Sequence, residues 1–405
     1  MIANVVHISL NARGGSERLA IATMQALLSS QHEISFDLTT AENPSLSQLE
    51  KSYGPNSIYA IKRVRKLNRL DLTSSTSFNG NYDLIINTHG DLLPYFPAQD
   101  VYHHYSKKNY ITYCHFPLVP YFVETKDKIY SELLKKLSSF PNLNTNQSLL
   151  QQLVKSYYNM MNSSLVLTNS EYSRRVIQKL FGVDAAVVYP PVDVEIFRSK
   201  VLTPIRAKPL RDKRKDQILV ISRFNPTKKI ENALRVAKLL NQHRIGNRMK
   251  IVGNLTKEYL DYYNYLKEVV KIYDLMDYVN FEVNVPFNKL ISLMQESKVY
   301  FHTLPGEPFG ISTVEAMSAG LVPIVPDFGG HIEFVPDKYQ FHTFGEAVQA
   351  ISDGLEAPFS ERISLSNSVM KFSTSNYIAQ FQGILNHMIS AGISKIPSKK
   401  ISLGV

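Results

Sequence analysis

The 405-residue chain contains no Trp and only one Cys, Cys114. A single cysteine excludes an intrachain disulfide framework, so we expect a reducing, cytoplasmic compartment. The sequence also lacks a run of about 18 consecutive apolar residues, which is the length that a membrane-spanning helix needs. Its first ten residues have neither the charged start nor the long apolar core of a signal peptide. These absences disfavour a secreted or membrane-spanning protein.

Acidic residues are outnumbered, with 35 Asp and Glu against 45 Lys and Arg, and the formal net charge is +10. This excess favours an anionic partner, which could be nucleic acid, an anionic membrane surface or a phosphorylated substrate. The densest basic run, Arg206–Lys215, is broken by Pro209 and lies where a linker is expected. We interpret it as a solvated linker, and nucleic acid is therefore disfavoured as a partner.

The length predicts two domains, since a domain usually has roughly 100–200 residues. Short β-branched runs alternate with helical patterns, which predicts βαβ units and parallel sheets in an α/β fold. We predict strands over Asn4–Leu10, Ile34–Leu38, Asp83–Asn87, Tyr110–Cys114, Ser164–Thr168 and Ala186–Tyr189, and then over Gln217–Ile221, Met249–Val252, Val279–Val283, Lys298–His302 and Val322–Val325. The predicted domains are a Rossmann-like domain over residues 1–200, a basic linker over 201–216, a second Rossmann-like domain over 217–375 and a helix over 376–392.

The strongest candidate site lies where a predicted strand crosses a Gly/Pro loop and enters a predicted helix over Gly310–Gly320. Two carboxylates, Glu307 and Glu315, lie on either side of the helix start, and each could accept two hydroxyl protons from a vicinal diol. One would hold the transferred sugar and the other the ribose. The positive end of the helix would attract a phosphate through three backbone N–H groups, those of Phe309, Gly310 and Ile311. By itself, Glu307 could equally be an ordinary acidic residue near a helix start.

A second candidate site follows the first strand of the second domain, where open α/β sheets bind ligands. It contains Arg223, whose guanidinium can bind two oxygens at once, and Lys228, a mobile point charge. Together they could neutralise a diphosphate. Taken alone, the stretch would more often be two exposed basic residues near a turn.

Two further stretches follow strands of the first domain. Gly14 and Gly15 precede the first helix and would let a ligand approach the backbone closely, although a plain glycine turn explains them equally well. The dinucleotide pattern G-x-G-x-x-G is missing, which disfavours a nicotinamide or flavin enzyme. His115 closes a strand and could reach the cleft between the domains, although a single histidine there is more often structural; His89 has the same ambiguity.

No Asp-x-Asp follows a strand, and no His/Cys cluster has metal-ligand spacing. We therefore expect no metal and no cofactor, with the charge of the diphosphate balanced by Arg223, Lys228 and helix N-termini.

Five separated stretches, taken in order, resemble the retaining glycosyltransferases of the GT-B fold, specifically family 4. These are Gly14–Glu17, Asn169–Ser173, Val188–Asp193, the Arg223/Lys228 pair and the Glu307/Glu315 segment. Within the family, Tyr113–Pro117 and His302–Glu315 are most similar to the eukaryotic mannosyltransferases that extend a dolichol-diphosphate-linked oligosaccharide from GDP-mannose on the cytosolic membrane face. Those enzymes carry an N-terminal membrane segment, which this sequence does not show. The same stretches also suit a prokaryotic or archaeal relative that uses another sugar.

The resemblance implies that Glu315 binds the ribose, Glu307 the donor sugar, and Arg223 and Lys228 the diphosphate. It also implies that Gly15 lines the phosphate site and that His115 faces the sugar near the reacting carbon. The apolar stripe that begins at Tyr377 would be the helix that crosses back onto the first domain. The expected partners are thus a nucleotide-sugar donor and a glycan or lipid-linked acceptor.

Two alternatives remain open at this point. The chain could be a non-catalytic protein of the same fold that binds an anionic membrane or nucleic acid, or a GT-B enzyme of other chemistry such as a nucleotide-sugar epimerase or a phosphorylase. A peripheral membrane contact is a separate hypothesis, since apolar residues of the stretch 116–122 precede a candidate interfacial helix. The apolar and basic positions of that helix are Ile129, Leu133, Leu134, Leu137, Lys128, Lys135 and Lys136. An ordinary surface helix would show the same pattern.

Overall fold

The computed structural model describes residues 1–11, 14–53, 55–69, 82–90, 109–125, 146–198 and 214–391. The chain divides into two compact units. The first comprises Met1–Pro191 and Ser375–Val405, and the second comprises Val192–Thr374. The first unit thus ends nine residues before the predicted limit at residue 200. Most of the predicted basic linker lies outside the described residues, and its last two positions, Lys215 and Asp216, begin a strand.

The first unit contains a parallel sheet of seven described strands in the order β3-β2-β1-β4-β5-β6-β7. The strands are β1 Ile2–Val6, β2 Ser35–Thr40, β3 Leu67–Arg69, β4 Leu84–Asn87, β5 Tyr110–Cys114, β6 Leu165–Thr168 and β7 Ala186–Val187. The described helices are α1 Gly15–Leu28, α2 Leu46–Tyr53, α3 Pro55–Lys62, α4 Leu118–Thr125, α5 Asn146–Ser163 and α6 Glu171–Phe181.

Both faces of this sheet are covered, as the continuous apolar runs of its strands require. Successive side chains of β4 alternate between the two cores. Leu84 and Ile86 pack with α1, whereas Ile85 packs with residues of α5 and α6. This alternation follows from the two-residue period of a strand.

The second unit contains a parallel sheet in the order β10-β9-β8-β11-β12-β13. Its described strands are β8 Lys215–Ile221, β9 Arg248–Gly253, β10 Val279–Val283, β11 Ser297–Phe301, β12 Val322–Pro326 and β13 Gln340–Phe341. Its α-helices are α7 Val194–Arg198, α8 Glu231–Gln242, α9 Leu260–Ile272, α10 Phe287–Glu296, α11 Ile311–Ser318, α12 Phe344–Glu356 and α13 Phe359–Ser368. The described residues of this unit also form five 3-10 turns, over Pro226–Lys228, Lys257–Tyr259, Gly330–Glu333, Asp337–Tyr339 and Met370–Phe372.

The last described helix, α14 (Thr374–Ser390), packs into the core of the first unit. Tyr377, Phe381 and Leu385 are buried at four-residue spacing, so one face of the helix is apolar. The Tyr377 hydroxyl lies 2.6 Å from Thr23 Oγ1 of α1. This buried polar contact fixes the position of α14 along α1.

The differences from the predicted elements are confined to ends and edges. The first strand covers Ile2–Val6 instead of Asn4–Leu10, because its ladder pairing with β2 and β4 ends at Val6, opposite Thr39 and Asn87. Sequence patterns missed β3 and β13, which have only three and two residues at sheet edges. Such short strands carry too little periodicity to detect.

Candidate functional site

The loop between β11 and α11 carries Glu307, and glycines shape it. Gly310 caps α11 with φ +98°, a backbone conformation that residues with a Cβ rarely adopt. Gly330 donates its N–H to the Glu307 carbonyl at 2.7 Å. A Cβ at Gly330 would lie 2.0 Å from the Pro308 carbonyl oxygen. This position therefore admits only glycine, and it holds the backbone that carries the carboxylate.

Lys228 lies beside Glu307 in the structure. Its Nζ is 3.0 Å from Glu307 Oε2, and the two side chains are 25% and 19% exposed. Lys228 ends the 3-10 turn that follows β8, and its carbonyl accepts the Thr303 hydroxyl at 3.0 Å. The structure thus brings these two predicted residues together, since β8 and β11 are neighbouring strands.

The Glu307 carboxyl is ionised. Burial alone would raise its pKa, but the Lys228 ammonium, together with His302 and His331, outweighs burial and holds the pKa of Glu307 well below its ordinary value. The pair is only partly exposed, so solvent screens it less than it would a surface ion pair. The Glu307 carboxylate of this loop therefore lies, negatively charged, next to the Lys228 ammonium of the turn that follows β8.

Two histidines that sequence reasoning had not assigned border this pair. His302 Nε2 lies 3.7 Å from Glu307 Oε2, and the rings of His302 and His331 lie 5.4 Å apart. Burial lowers the pKa of His302 to about 3, so its ring is neutral at pH 7. His302 directly follows a strand. This is the same sequence signal that pointed to His115, and it would have identified His302.

The remaining predicted residues of the second unit lie around the same loop. Arg223 is exposed, in the turn that follows β8. Ile311 is the first residue of α11, and Glu315 lies in its second turn, partly buried. The Phe309 side chain is buried against Phe334 and Phe372, so only its backbone can meet a ligand.

In the first unit, Gly14 and Gly15 form the start of α1. The Glu17 carboxylate accepts the Gly14 N–H at 2.5 Å, and its Oε1 lies 3.7 Å from His7 Nε2. Burial would raise the pKa of Glu17, but the contact with His7 and the hydrogen bonds from the backbone and Ser16 together outweigh burial and lower the pKa to about 2. A buried carboxylate therefore holds the glycine turn in place.

The hydrogen bonds of His115 fix its tautomer. Its Nε2 lies 3.0 Å from the Thr88 carbonyl oxygen, which can only accept, so Nε2 carries the proton. Burial lowers the pKa of His115 to about 4, so the ring is neutral at pH 7 and Nδ1 presents a lone pair. His115 is thus an acceptor at Nδ1 and not a cation.

Thr88 links His115 to the glycine turn. The Thr88 hydroxyl donates to the Val6 carbonyl at 3.0 Å and lies 3.0 Å from His7 Nδ1, so it accepts the proton of that nitrogen. The His89 ring lies 5.0 Å from the His7 ring, and burial lowers the pKa of His89 to about 3. The carboxyl ends of β1, β4 and β5 therefore bring together three histidines and Glu17.

None of the helices in the described part of the chain combines the length and the apolar character needed to cross a membrane. The predicted interfacial helix begins beyond Thr125, and its residues Lys128–Leu137 lie outside the described residues. The preceding stretch forms α4, whose Leu118 is 42% exposed.

The family model for glycosyl transferases group 1 matches residues 203–372. A GDP-Man:Man(3)GlcNAc(2)-PP-Dol alpha-1,2-mannosyltransferase from Dictyostelium discoideum is 27% identical over 61% of this chain and 50% of its own length. The Homo sapiens protein of the same name is 30% identical over 42% of this chain and 35% of its own. The chain thus spans half or less of the length of these relatives.

Among solved structures, a sucrose-phosphate synthase from Thermosynechococcus elongatus superposes with a TM-score of 0.67, covering 97% of this chain and all of that one at 13% identity. This likeness and the two parallel sheets confirm the predicted fold, and the chain has the two-domain α/β GT-B fold of glycosyltransferases. The family model for glycosyl transferases group 1 matches most of its second unit, and the chain is similar to the dolichol-pathway mannosyltransferases named above. The resemblance found in the sequence motifs is therefore confirmed.

Proposed function

We propose that this protein is a retaining glycosyltransferase that moves mannose from GDP-mannose to a lipid-linked glycan. The observation that carries the proposal is the Lys228–Glu307 pair, an ionised carboxylate against an ammonium at the carboxyl ends of adjacent strands. The pair lies inside the group 1 domain, and the names of the similar proteins support mannose as the sugar. Glu307 would accept hydroxyl protons of the sugar, and Lys228 would neutralise the diphosphate.

Other residues complete the proposed donor site. Arg223 and the N–H groups at the start of α11 would share the charge of the diphosphate, and Glu315 would bind the ribose. Lys228 carries three N–H bonds, so it can serve Glu307 and a phosphate oxygen together. In the first unit, we propose that the backbone at Gly14 and Gly15 lets a phosphate approach closely.

The proposed chemistry is a same-face substitution. The acceptor oxygen bonds to the anomeric carbon on the face from which the diphosphate departs, and a leaving phosphate oxygen takes the acceptor's proton. The positive charges around the diphosphate stabilise the developing negative charge. His115 is neutral, and we infer that its Nδ1 accepts a hydrogen bond from a sugar hydroxyl and orients the ring.

A panel of nucleotide sugars tests this function, with the product analysed by NMR. GDP-mannose should give an α-linked mannoside, and a β-linked product would contradict retention. A nucleotide sugar converted without an acceptor would favour an epimerase, and release of a sugar phosphate would favour a phosphorylase. Neither hydrolysis nor transfer with any donor would favour a non-catalytic binding protein.

We also propose that transfer requires no divalent metal, because Lys228 and Arg223 supply positive charge where the diphosphate would lie. Activity should persist in excess chelator, whereas Arg223→Ala should reduce it strongly. Loss of turnover on chelation, restored by magnesium or manganese, would contradict this proposal.

A lipid-linked acceptor would be met at a membrane, and we propose reversible binding to the cytosolic face. The support is the net charge of +10 together with the exposed Leu118 on α4. Flotation with anionic liposomes at low salt should carry the protein upward. If the protein is absent from the floating fraction, the proposal of membrane binding is wrong.

A further inference from the structure

His302 is the first residue after β11, and its ring is fixed from one side. Its Nδ1 lies 3.0 Å from the Tyr300 hydroxyl, which lies 2.8 Å from Ser312 Oγ at the start of α11. The residue is 7% exposed. Strand and helix therefore hold the imidazole in one orientation.

The other ring nitrogen lies 3.7 Å from Glu307 Oε2 and has no hydrogen-bond partner of good geometry among the described residues, and the Leu304 backbone is a further polar neighbour of the ring. A buried polar atom without a partner costs about 1–3 kcal/mol and is uncommon in folded proteins. The adjacent carboxylate favours a proton on Nε2, since the N–H dipole then points toward the negative charge. Nδ1 consequently accepts from Tyr300, and Tyr300 accepts from Ser312.

His331 offers a useful contrast. Its Nε2 donates to the Pro326 carbonyl at 2.8 Å, so its unpaired Nδ1 holds only a lone pair. His302 instead holds an unpaired donor next to an ionised acceptor. Such a donor and acceptor side by side match a hydroxyl group, which accepts one hydrogen bond and donates another.

We propose that His302 is a specificity-determining residue that, together with Glu307, recognises one hydroxyl of the donor sugar. The hydroxyl oxygen accepts from His302 Nε2–H and donates its proton toward Glu307. The 3.7 Å separation of Nε2 and Oε2 lets one oxygen lie about 2.8 Å from both atoms. The inference rests on the proposed function and deepens it, since it states how the donor sugar is selected.

Two amide variants separate this role from a structural one. In His302→Gln the amide nitrogen can reach the position of Nε2, whereas in His302→Asn it reaches only that of Nδ1. Calorimetry would measure how tightly GDP, GDP-mannose and each monodeoxy GDP-mannose bind to wild type and to both variants. If another nucleotide sugar of the panel binds wild type more tightly than GDP-mannose, that nucleotide sugar replaces it. His302→Asn should weaken donor binding about 5–20-fold, on the scale of one hydrogen bond, and leave GDP binding unchanged.

The analogue that lacks the recognised hydroxyl should bind wild type and His302→Asn equally, and His302→Gln should keep most of the donor affinity. Equal weakening of GDP and donor, or the same loss with every deoxy analogue, would overturn the assignment of His302 alone. If no nucleotide sugar binds wild type more tightly than its free nucleoside diphosphate, the proposed function fails and this inference fails with it.

Discussion

Replacement of Glu17 by Gln tests how the glycine turn of the first unit is held. The carboxylate accepts the Gly14 N–H and the Ser16 hydroxyl and faces His7, while its side chain is only 7% exposed. Gln keeps the shape of the side chain and one acceptor oxygen but removes the charge. The variant therefore isolates the electrostatic part of the contact.

The expected loss of stability follows from the pKa of Glu17. In the folded protein the pKa of Glu17 falls from its ordinary value of 4.5 to about 2. At roughly 1.4 kcal/mol per pKa unit, the charged form contributes about 3 kcal/mol to the free energy of unfolding. Because the folded pKa lies below the unfolded one, this contribution is complete above pH 4.5 and is lost as the pH falls toward 2.

Glu17→Gln should therefore lower the free energy of unfolding by about 1–3 kcal/mol at pH 7. Since the chain has no Trp, calorimetry and hydrogen exchange of peptides from α1 are the suitable assays. The deficit should shrink between about pH 4.5 and 2. Glu50→Gln, on the exposed side of α2, is the control and should change stability by less than about 0.5 kcal/mol. A deficit that is absent at pH 7, or unchanged at acid pH, would refute the reasoning.

Three further predictions concern ligand binding and turnover. Glu315→Ala should weaken nucleotide-sugar binding by roughly 1–3 kcal/mol, and unchanged affinity by calorimetry would refute the ribose assignment. Gly330→Ala should destabilise the second unit by more than about 2 kcal/mol and impair donor binding, because the new Cβ would clash with the Pro308 carbonyl. The control is Gly383→Ala on α14, where a Cβ has open space, and it should be neutral or stabilising in the same thermal melt. His115→Ala should keep nucleotide binding but lose about 10²-fold in kcat, and near-normal turnover would assign the residue a structural role.

Sequence patterns predicted the α/β class and most strands, because buried parallel strands are continuous apolar runs bounded by turn residues. The strands over Tyr110–Cys114 and Val279–Val283 match their predictions residue for residue. Site residues were placed by one rule, that ligands meet the carboxyl ends of parallel strands. That rule indicated Lys228 and Glu307 separately, although their assigned roles remain predictions.

The pairing of those two residues depended on strand order. Lys228 and Glu307 are 79 positions apart, and their strands are neighbours only because the sheet runs β10-β9-β8-β11. The same holds for His7, Thr88 and His115, which follow three strands that meet in the order β1-β4-β5. Local periodicity predicts strands but carries no information on which strand pairs with which.

The sequence by itself therefore determined which elements and groups the protein has: parallel strands, glycine turns, and cations and carboxylates where strands end. Tertiary structure decided which of these groups touch and which protonation state each one holds. The neutral rings of His115 and His302 result from burial, and the ionised Glu307 results from an ammonium 3.0 Å away. Burial and distance both arise from packing between segments far apart in the chain, which is why only the folded molecule sets them.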